Sequence, residues 1–187
     1  MILKNLDESV KKYEIVCTDP PWSQTKGGLR KTRPNQTKEL DYPTLTIEGI
    51  VEHQRKVIDN LATDNHTVFM WTIDKFLPQT ECFMNELGYK LHARIIWDKE
   101  NGIAPAFTIR YSHEYLLWFY RGRMTPIATE QRGKFTTVLR EKATKHSKKP
   151  VCSYEFIEAL YPQQPKLEMY ARSIREGWDI WGNEITE

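Results

Sequence analysis

Two adjacent prolines, Pro20 and Pro21, follow directly on a short β-rich run, Tyr13 to Thr18 (YEIVCT), and they fix where the chain must leave regular structure. Each proline locks its own φ, lacks an N–H and restricts the residue before it, so neither a helix nor a strand ladder continues through the pair. The run therefore reads as a buried strand that stops abruptly, with Asp19 before the prolines and Trp22 after them. From there to about Pro43 the residues are polar and basic and include Gly27-Gly28. A connection of that length in a compact domain is usually functional.

Beyond that point strands and helices alternate. Thr46 caps a helix that runs to Leu61, with Ile47, Ile50, Val51, Val57, Ile58 and Leu61 on one stripe. His66 to Thr72 is a second buried strand. Asp74 caps a helix to about Leu87, which Gly88 ends. Lys90 to Trp97 is a third strand, and Asn101 to Arg110 is a loop. Further strands are His113 to Tyr120, Phe135 to Arg140, Lys166 to Tyr170 and Trp178 to Trp181, with a helix from Val151 to Leu160. No repeat or linker divides the chain, so residues 1 to 187 read as a single α/β domain with a largely parallel open sheet. Such sheets bind ligands beyond the carboxyl ends of their strands. Asp19, Trp22, Thr72, Asp98 and Arg172 all fall at such ends.

Composition narrows the function. A hydrophobic share of 40% and a charged share of 28% are ordinary for a soluble globular chain. Cys17, Cys82 and Cys152 are widely spaced without a CxxC, and the histidines lack metal-ligand spacing. Neither a disulfide framework nor a metal site is expected. With no signal peptide and no membrane-length apolar run, the expectation is a reduced cytoplasmic protein. Net charge is only +2, but it is unevenly placed. One basic run holds Lys26, Arg30, Lys31, Arg33 and Lys38; a second holds Arg140, Lys142, Lys145, Lys148 and Lys149. Each is either a solvated loop or an edge that contacts phosphates.

Asp19-Pro20-Pro21-Trp22 carries the chemistry. An exocyclic amino nitrogen on adenine is a poor nucleophile because its lone pair is delocalised into the ring. To accept a methyl group it must pyramidalise and take on positive charge. A carboxylate and a carbonyl oxygen that accept its two N–H bonds favour that change, by electrostatic preorganisation. Asp19 supplies the first and the Pro20 carbonyl the second, and the prolines hold both in place before substrate arrives. Trp22 offers a face for the target base to stack on. The base must leave its stack, or come from a single strand, to reach such a site. The plainer alternative is a strand-ending turn with a chance Asp and Trp.

The chain resembles the MT-A70 family of N6-adenine methyltransferases, which includes messenger-RNA adenosine methyltransferases and bacterial and phage DNA enzymes. The resemblance is carried in order by VCTDPPW, DYPTLTIEGI, VFMWT, IIWDK, RYSHEYLLWFYRG, HSKKP, KLEMYAR and WDIWGNE. It implies a Rossmann-like methyltransferase sheet, mostly parallel with an antiparallel strand, in circularly permuted order, with helices on both faces. It implies S-adenosyl-L-methionine as cofactor and nucleic acid, DNA favoured over RNA, as substrate. A homodimer or a partner subunit is compatible with it.

By the same resemblance Asn183 and Glu184 would bind the cofactor's ribose hydroxyls. Arg172 and Lys149 would flank its ribose and carboxylate, and Glu168 and Asp19 would complete that side. Tyr42 would lie beside the target base, with Trp97, Lys99, His113 and Glu114 on the substrate side and Lys26, Arg30, Lys31 and Arg33 toward the phosphates. The chain departs from the family in three ways. Only twelve residues precede Tyr13, so the cofactor's adenine wall would come from Ile2 to Asn5 or elsewhere. Ala171 stands where a glycine is common. The Asn common shortly after it falls near Ile174 and Arg175. The alternatives are an RNA adenosine methyltransferase, an N4-cytosine methyltransferase, which usually has Ser at the acid position, a non-catalytic family member that only binds nucleic acid, and a nucleotide-binding α/β domain without transfer chemistry.

Overall fold

A computed structural model describes residues 1–7, 11–23, 43–103, 109–144 and 148–182. Its centre is a seven-stranded sheet. In chain order the strands are β1 (Tyr13–Thr18), β2 (Ala62–Thr72), β3 (Lys90–Asp98), β4 (His113–Arg121), β5 (Val138–Arg140), β6 (Lys166–Met169) and β7 (Trp178–Trp181). Across the sheet they lie in the order β5-β3-β4-β2-β1-β6-β7. β4 runs antiparallel to both of its neighbours, β2 and β3, and every other pairing is parallel. The strand that carries Asp19 comes first in sequence yet sits in the middle, and the two strands beside it on one side come last. This is a Rossmann-like methyltransferase sheet in permuted order.

Helices α1 (Ile47–Lys56) and α2 (Leu77–Glu86) cover one face and α3 (Val151–Leu160) the other. Strand alternation divides the core accordingly. Val16, Val68, Met70, Leu117 and Leu167 face Ile50, Phe83 and Met84, while Ile15, Phe69, Leu116 and Ile180 face Phe156, Ile157 and Leu160. Tyr13 joins the first group although Ile15 is in the second, because the β1–β2 register shifts between those two residues. Full burial of one such apolar side chain contributes about 1.5–3 kcal/mol, which ties both layers to the sheet.

Most local expectations hold. Thr46 accepts the Gly49 N–H at 3.2 Å and caps α1, which ends in a π-helical turn, Val57–Leu61. Gly88, at φ 84°, takes the left-handed turn after α2. Asp74 does not cap α2: it opens a 3-10 turn, Asp74–Phe76, that feeds the helix, and no side-chain cap bond forms there. β5 begins only at Val138, where the short ladder of Val138 to Arg140 with Ile96 to Asp98 starts. α3 is capped from far away in sequence, by the Glu141 carboxylate, which accepts the Val151 and Cys152 N–H groups at 2.9 and 2.8 Å. Ile2 and Leu3 extend the sheet past β7, with Ile2 bridged to Ile180 and Leu3 N–H bonded to the Ile180 carbonyl at 2.8 Å.

Candidate active site

The Asp-Pro-Pro-Trp turn leaves β1 at the carboxyl edge of the sheet. Its shape is held from within and from outside: the Trp22 N–H donates to the Pro20 carbonyl at 2.9 Å, and the Leu45 N–H donates to the Pro21 carbonyl at 2.8 Å. The Pro20 oxygen keeps a second lone pair free to accept another donor. Asp19 opens into a cavity of about 860 Å³ that both prolines help to line. Ligand sites of a few hundred to about 1,000 Å³ are typical.

Opposite charges alternate along one wall. Lys149, just before α3, places its ammonium 3.0 Å from Asp19 Oδ1 and 2.9 Å from Glu114 Oε2. Lys99 closes the row at 2.5 Å from Glu114 Oε1. Each cation also lies over an indole, Lys149 at 5.2 Å from the Trp71 centroid and Lys99 at 5.4 Å from that of Trp97. Burial pushes the Asp19 carboxyl above its ordinary range, and Lys149 pulls against it. Burial also acts on Glu114, but Lys149 and Lys99 together outweigh it and hold that carboxyl below its ordinary range. Burial works against the charge on Lys149 as well, and its two carboxylates more than compensate, so its pKa is raised.

β4 runs backwards through the sheet, so its first residues reach the same edge as the last residues of β1 and β3. Register then sets Glu114 opposite Trp97 and His113 opposite Asp98. Glu114 joins the charge row, and His113, which also lines the cavity, shares a 3.1 Å hydrogen bond with the Tyr115 hydroxyl. Lys149, which the sequence places in an exposed basic run, has a side chain only 12% exposed. Its neighbour Lys148 is the one on the cavity rim in solvent.

The tryptophans are walls. Trp22 is 6% exposed and stacks on Phe76, with centroids 5.1 Å apart and planes 16° from parallel. Its indole N–H donates to the Trp71 carbonyl at 3.3 Å. Phe76 thus covers one face of the ring, which packs into the core while Trp22 still lines the cavity. Trp97 is likewise buried, its N–H bonded to the Glu141 carbonyl at 2.8 Å.

On the other side of Asp19, Glu168 lies one strand over, level with Cys17. Burial raises its carboxyl above the ordinary range, and a 2.6 Å hydrogen bond from the Tyr154 hydroxyl opposes that shift. Arg172 lines the cavity beyond β6. The chain turns sharply there without glycine: Tyr170 takes a φ of 62°, and its hydroxyl shares a 2.9 Å hydrogen bond with His53 Nδ1. Non-glycine residues in that region store strain and cluster at functional sites.

Sequence reasoning missed Lys75, Arg110 and Tyr111 as cavity lining, and Tyr154 behind it, and named Lys148 only within the second basic run. Their only signal was position, since each lies within a few residues of a strand or helix end at the functional edge. Tyr42, Lys26, Arg30, Lys31 and Arg33, together with Asn183 and Glu184, lie outside the described residues. Among the described residues, no group of His, Cys, Asp or Glu is placed to hold a metal ion, and no helix is long and apolar enough to cross a membrane.

A family model described as MT-A70 matches residues 13–184. The chain belongs to the MT-A70 family. That match spans the sheet from β1 to β7 and both sides of the cavity. Similar proteins include the Type II methyltransferase M.MunI of Mycoplasma sp, 25% identical over 192 residues that cover 95% of this chain and 79% of that protein. The Arabidopsis thaliana N(6)-adenosine-methyltransferase MT-A70-like is 25% identical over 182 residues, covering 92% of this chain and 24% of its own length. The catalytic subunit of the Homo sapiens N(6)-adenosine-methyltransferase is 25% identical over 194 residues, covering 98% of this chain and 30% of that subunit. This MT-A70 chain thus spans most of the first relative and under a third of the other two. The close approach of β6 and β7 is met by Gly182, where a Cβ would lie 2.2 Å from the Ala171 carbonyl oxygen.

Proposed function

We propose that this chain transfers a methyl group to the N6 amino group of adenine in nucleic acid, with DNA favoured over RNA and S-adenosyl-L-methionine as the donor. The observation that carries the reading is that Asp19 and Pro20 both line one cavity, in a turn fixed by two prolines and by residue 45. Two acceptors side by side suit an amine that must shed its planarity and take on charge.

The site fits the donor on charge. Its two cationic groups, a sulfonium and an ammonium, call for anionic partners. Asp19 and Glu168 stand near the carboxyl ends of adjacent strands, each raised above its ordinary range by burial, with Glu114 adding to the shift at Asp19 and Asp19 to that at Glu168. When bound, S-adenosyl-L-methionine supplies an activated methyl group. Asp19, Glu168, Arg172 and Lys149 would hold it, with Asn183 and Glu184 as further contacts. Asp19 and the Pro20 oxygen accept the amino N–H bonds and orient the lone pair. Lys149 and Glu114 keep Asp19 in place through the charge row. Lys75, Arg110 and Lys148 give the cavity a basic rim suited to the phosphates on either side of the target. The preference for DNA rests on the relatives: the one matched over most of its own length is a Type II methyltransferase.

The test is transfer of labelled methyl groups to matched DNA and RNA oligonucleotides, single and double stranded, with the modified atom mapped. N6-methyladenine in DNA is the expected product. Label on cytosine N4, or none in wild type, overturns the reaction; label in RNA alone overturns only the substrate preference. Asp19→Ala should abolish transfer while cofactor binding stays within several-fold, because the carboxylate acts on charge that appears in the transition state.

A further inference from the structure

Tyr154 sits on α3, away from the cavity wall, yet its hydroxyl reaches across the sheet face to Glu168 Oε1 at 2.6 Å. The ring has little freedom. Trp178 meets it edge-on, with centroids 5.8 Å apart at 82°. The Arg175 guanidinium lies over it, 4.7 Å from the centroid. Glu158, one helical turn after Tyr154, ties these two together. It accepts two bonds from Arg175, at 2.5 and 2.8 Å, and one from the Trp178 indole at 2.7 Å. Helix, strand and loop thus clamp one hydroxyl against one carboxylate.

The direction of that bond is set. Burial pushes the Tyr154 hydroxyl far up, so it stays protonated and donates. Glu168 must accept, which it does best when ionised. Burial and the nearby Asp19 both favour the neutral acid at Glu168, and Tyr154 opposes them. Among the described residues Tyr154 makes the only hydrogen bond to this carboxylate, and it occupies one oxygen. In the proposed reaction Asp19 would hold the donor near its sulfonium, and a short carbon chain joins that sulfonium to the ammonium. Glu168 is the carboxylate next to Asp19 on that side.

We propose that Tyr154 is a positioning residue for the methyl donor, holding the Glu168 carboxylate oriented to receive the donor's ammonium group. The inference rests on the cofactor reading given above. S-adenosylhomocysteine keeps the ammonium and lacks the sulfonium, so the same contact should serve both compounds.

The experiment is calorimetric titration of the full chain with S-adenosylmethionine and with S-adenosylhomocysteine, for wild type, Tyr154→Phe, Glu168→Gln and the double variant. Thermal unfolding of each variant is recorded alongside. Losing a hydrogen bond to a charged group should weaken binding of both compounds by about tenfold in Tyr154→Phe at pH near 8. The loss should deepen as pH falls, because Glu168 without its donor protonates at higher pH. The double variant should bind no more weakly than Glu168→Gln, as one pathway predicts. Affinities in Tyr154→Phe equal to wild type at every pH, or penalties that add in the double variant, overturn the proposal while leaving the cofactor reading intact. A uniform loss with a lowered unfolding temperature and no pH trend assigns Tyr154 to packing alone and also overturns it. Wild type that binds neither compound overturns the cofactor reading and this inference together.

Discussion

Lys149 and Asp19 form an ion pair 3.0 Å long across two elements, the approach to α3 and the turn after β1. Burial raises the Asp19 carboxyl and Lys149 lowers it, so removing the lysine leaves burial nearly unopposed. In the proposed reaction transfer requires ionised Asp19, and its rate should fall as pH drops through the pKa of that group. Lys149→Met should therefore move the acid limb of the rate profile to higher pH, and Lys149→Arg should move it less. Rates for wild type and both variants across pH are the measurement. A slower Lys149→Met enzyme whose acid limb has not moved would show that the lysine does not tune Asp19.

Trp22 should matter to folding as well as to turnover. A stacking platform for a base can be removed without unfolding anything, but Trp22 is a core residue held by Phe76 and the Trp71 carbonyl. Truncating a buried aromatic to alanine costs about 3–5 kcal/mol. Denaturant unfolding of Trp22→Ala should show a loss of that order, with a smaller one for Trp22→Phe. Unchanged stability with lost activity would leave only the stacking role.

His66 is buried in a closed set of hydrogen bonds. Its Nδ1 lies 2.6 Å from the Thr63 carbonyl and its Nε2 2.7 Å from the Tyr89 hydroxyl, which also accepts from Gln54 at 2.8 Å. The neutral ring satisfies every partner, and burial lowers its pKa from 6.5 to about 4. The unfolded chain binds this proton first as pH falls. The His66 contribution is thus complete above pH 6.5 and is lost progressively toward about pH 4, amounting to about 3 kcal/mol in all. Unfolding free energies across that window should fall more steeply for wild type than for His66→Gln. Parallel curves would place the acid sensitivity elsewhere.

Arg30, Lys31 and Arg33 belong to the basic run after the Asp-Pro-Pro-Trp turn. If they touch phosphates, each lost contact reduces the slope of log affinity against log salt by roughly 0.7 to 0.9. The triple alanine variant should bind two unrelated sequences about equally weakly, since phosphate contacts position without specifying, and its cofactor affinity should not change. An unaltered slope would mark the run as a solvated loop.

Local rules alone determined much of this protein. Two prolines after YEIVCT end a strand wherever that strand lies, and Thr46, Gly88 and the apolar period of each segment set element type within a few residues. These effects act over one or two turns of chain, so sequence exposes them. What joins distant segments was decided only in the tertiary structure. Because β4 is antiparallel, Glu114 reaches the edge where Asp19 emerges, and both then share Lys149, a residue whose sequence neighbours suggest a solvent-exposed lysine. Phe76 covers one face of Trp22, Glu141 caps a helix that starts ten residues later, and Tyr154 points at Glu168 from another layer. Each of these depends on where two backbones pass each other. An ion pair, a ring contact or a hydrogen bond acts over a few ångströms in space, and no local pattern of residues records which partners the packing of a sheet will bring within that distance.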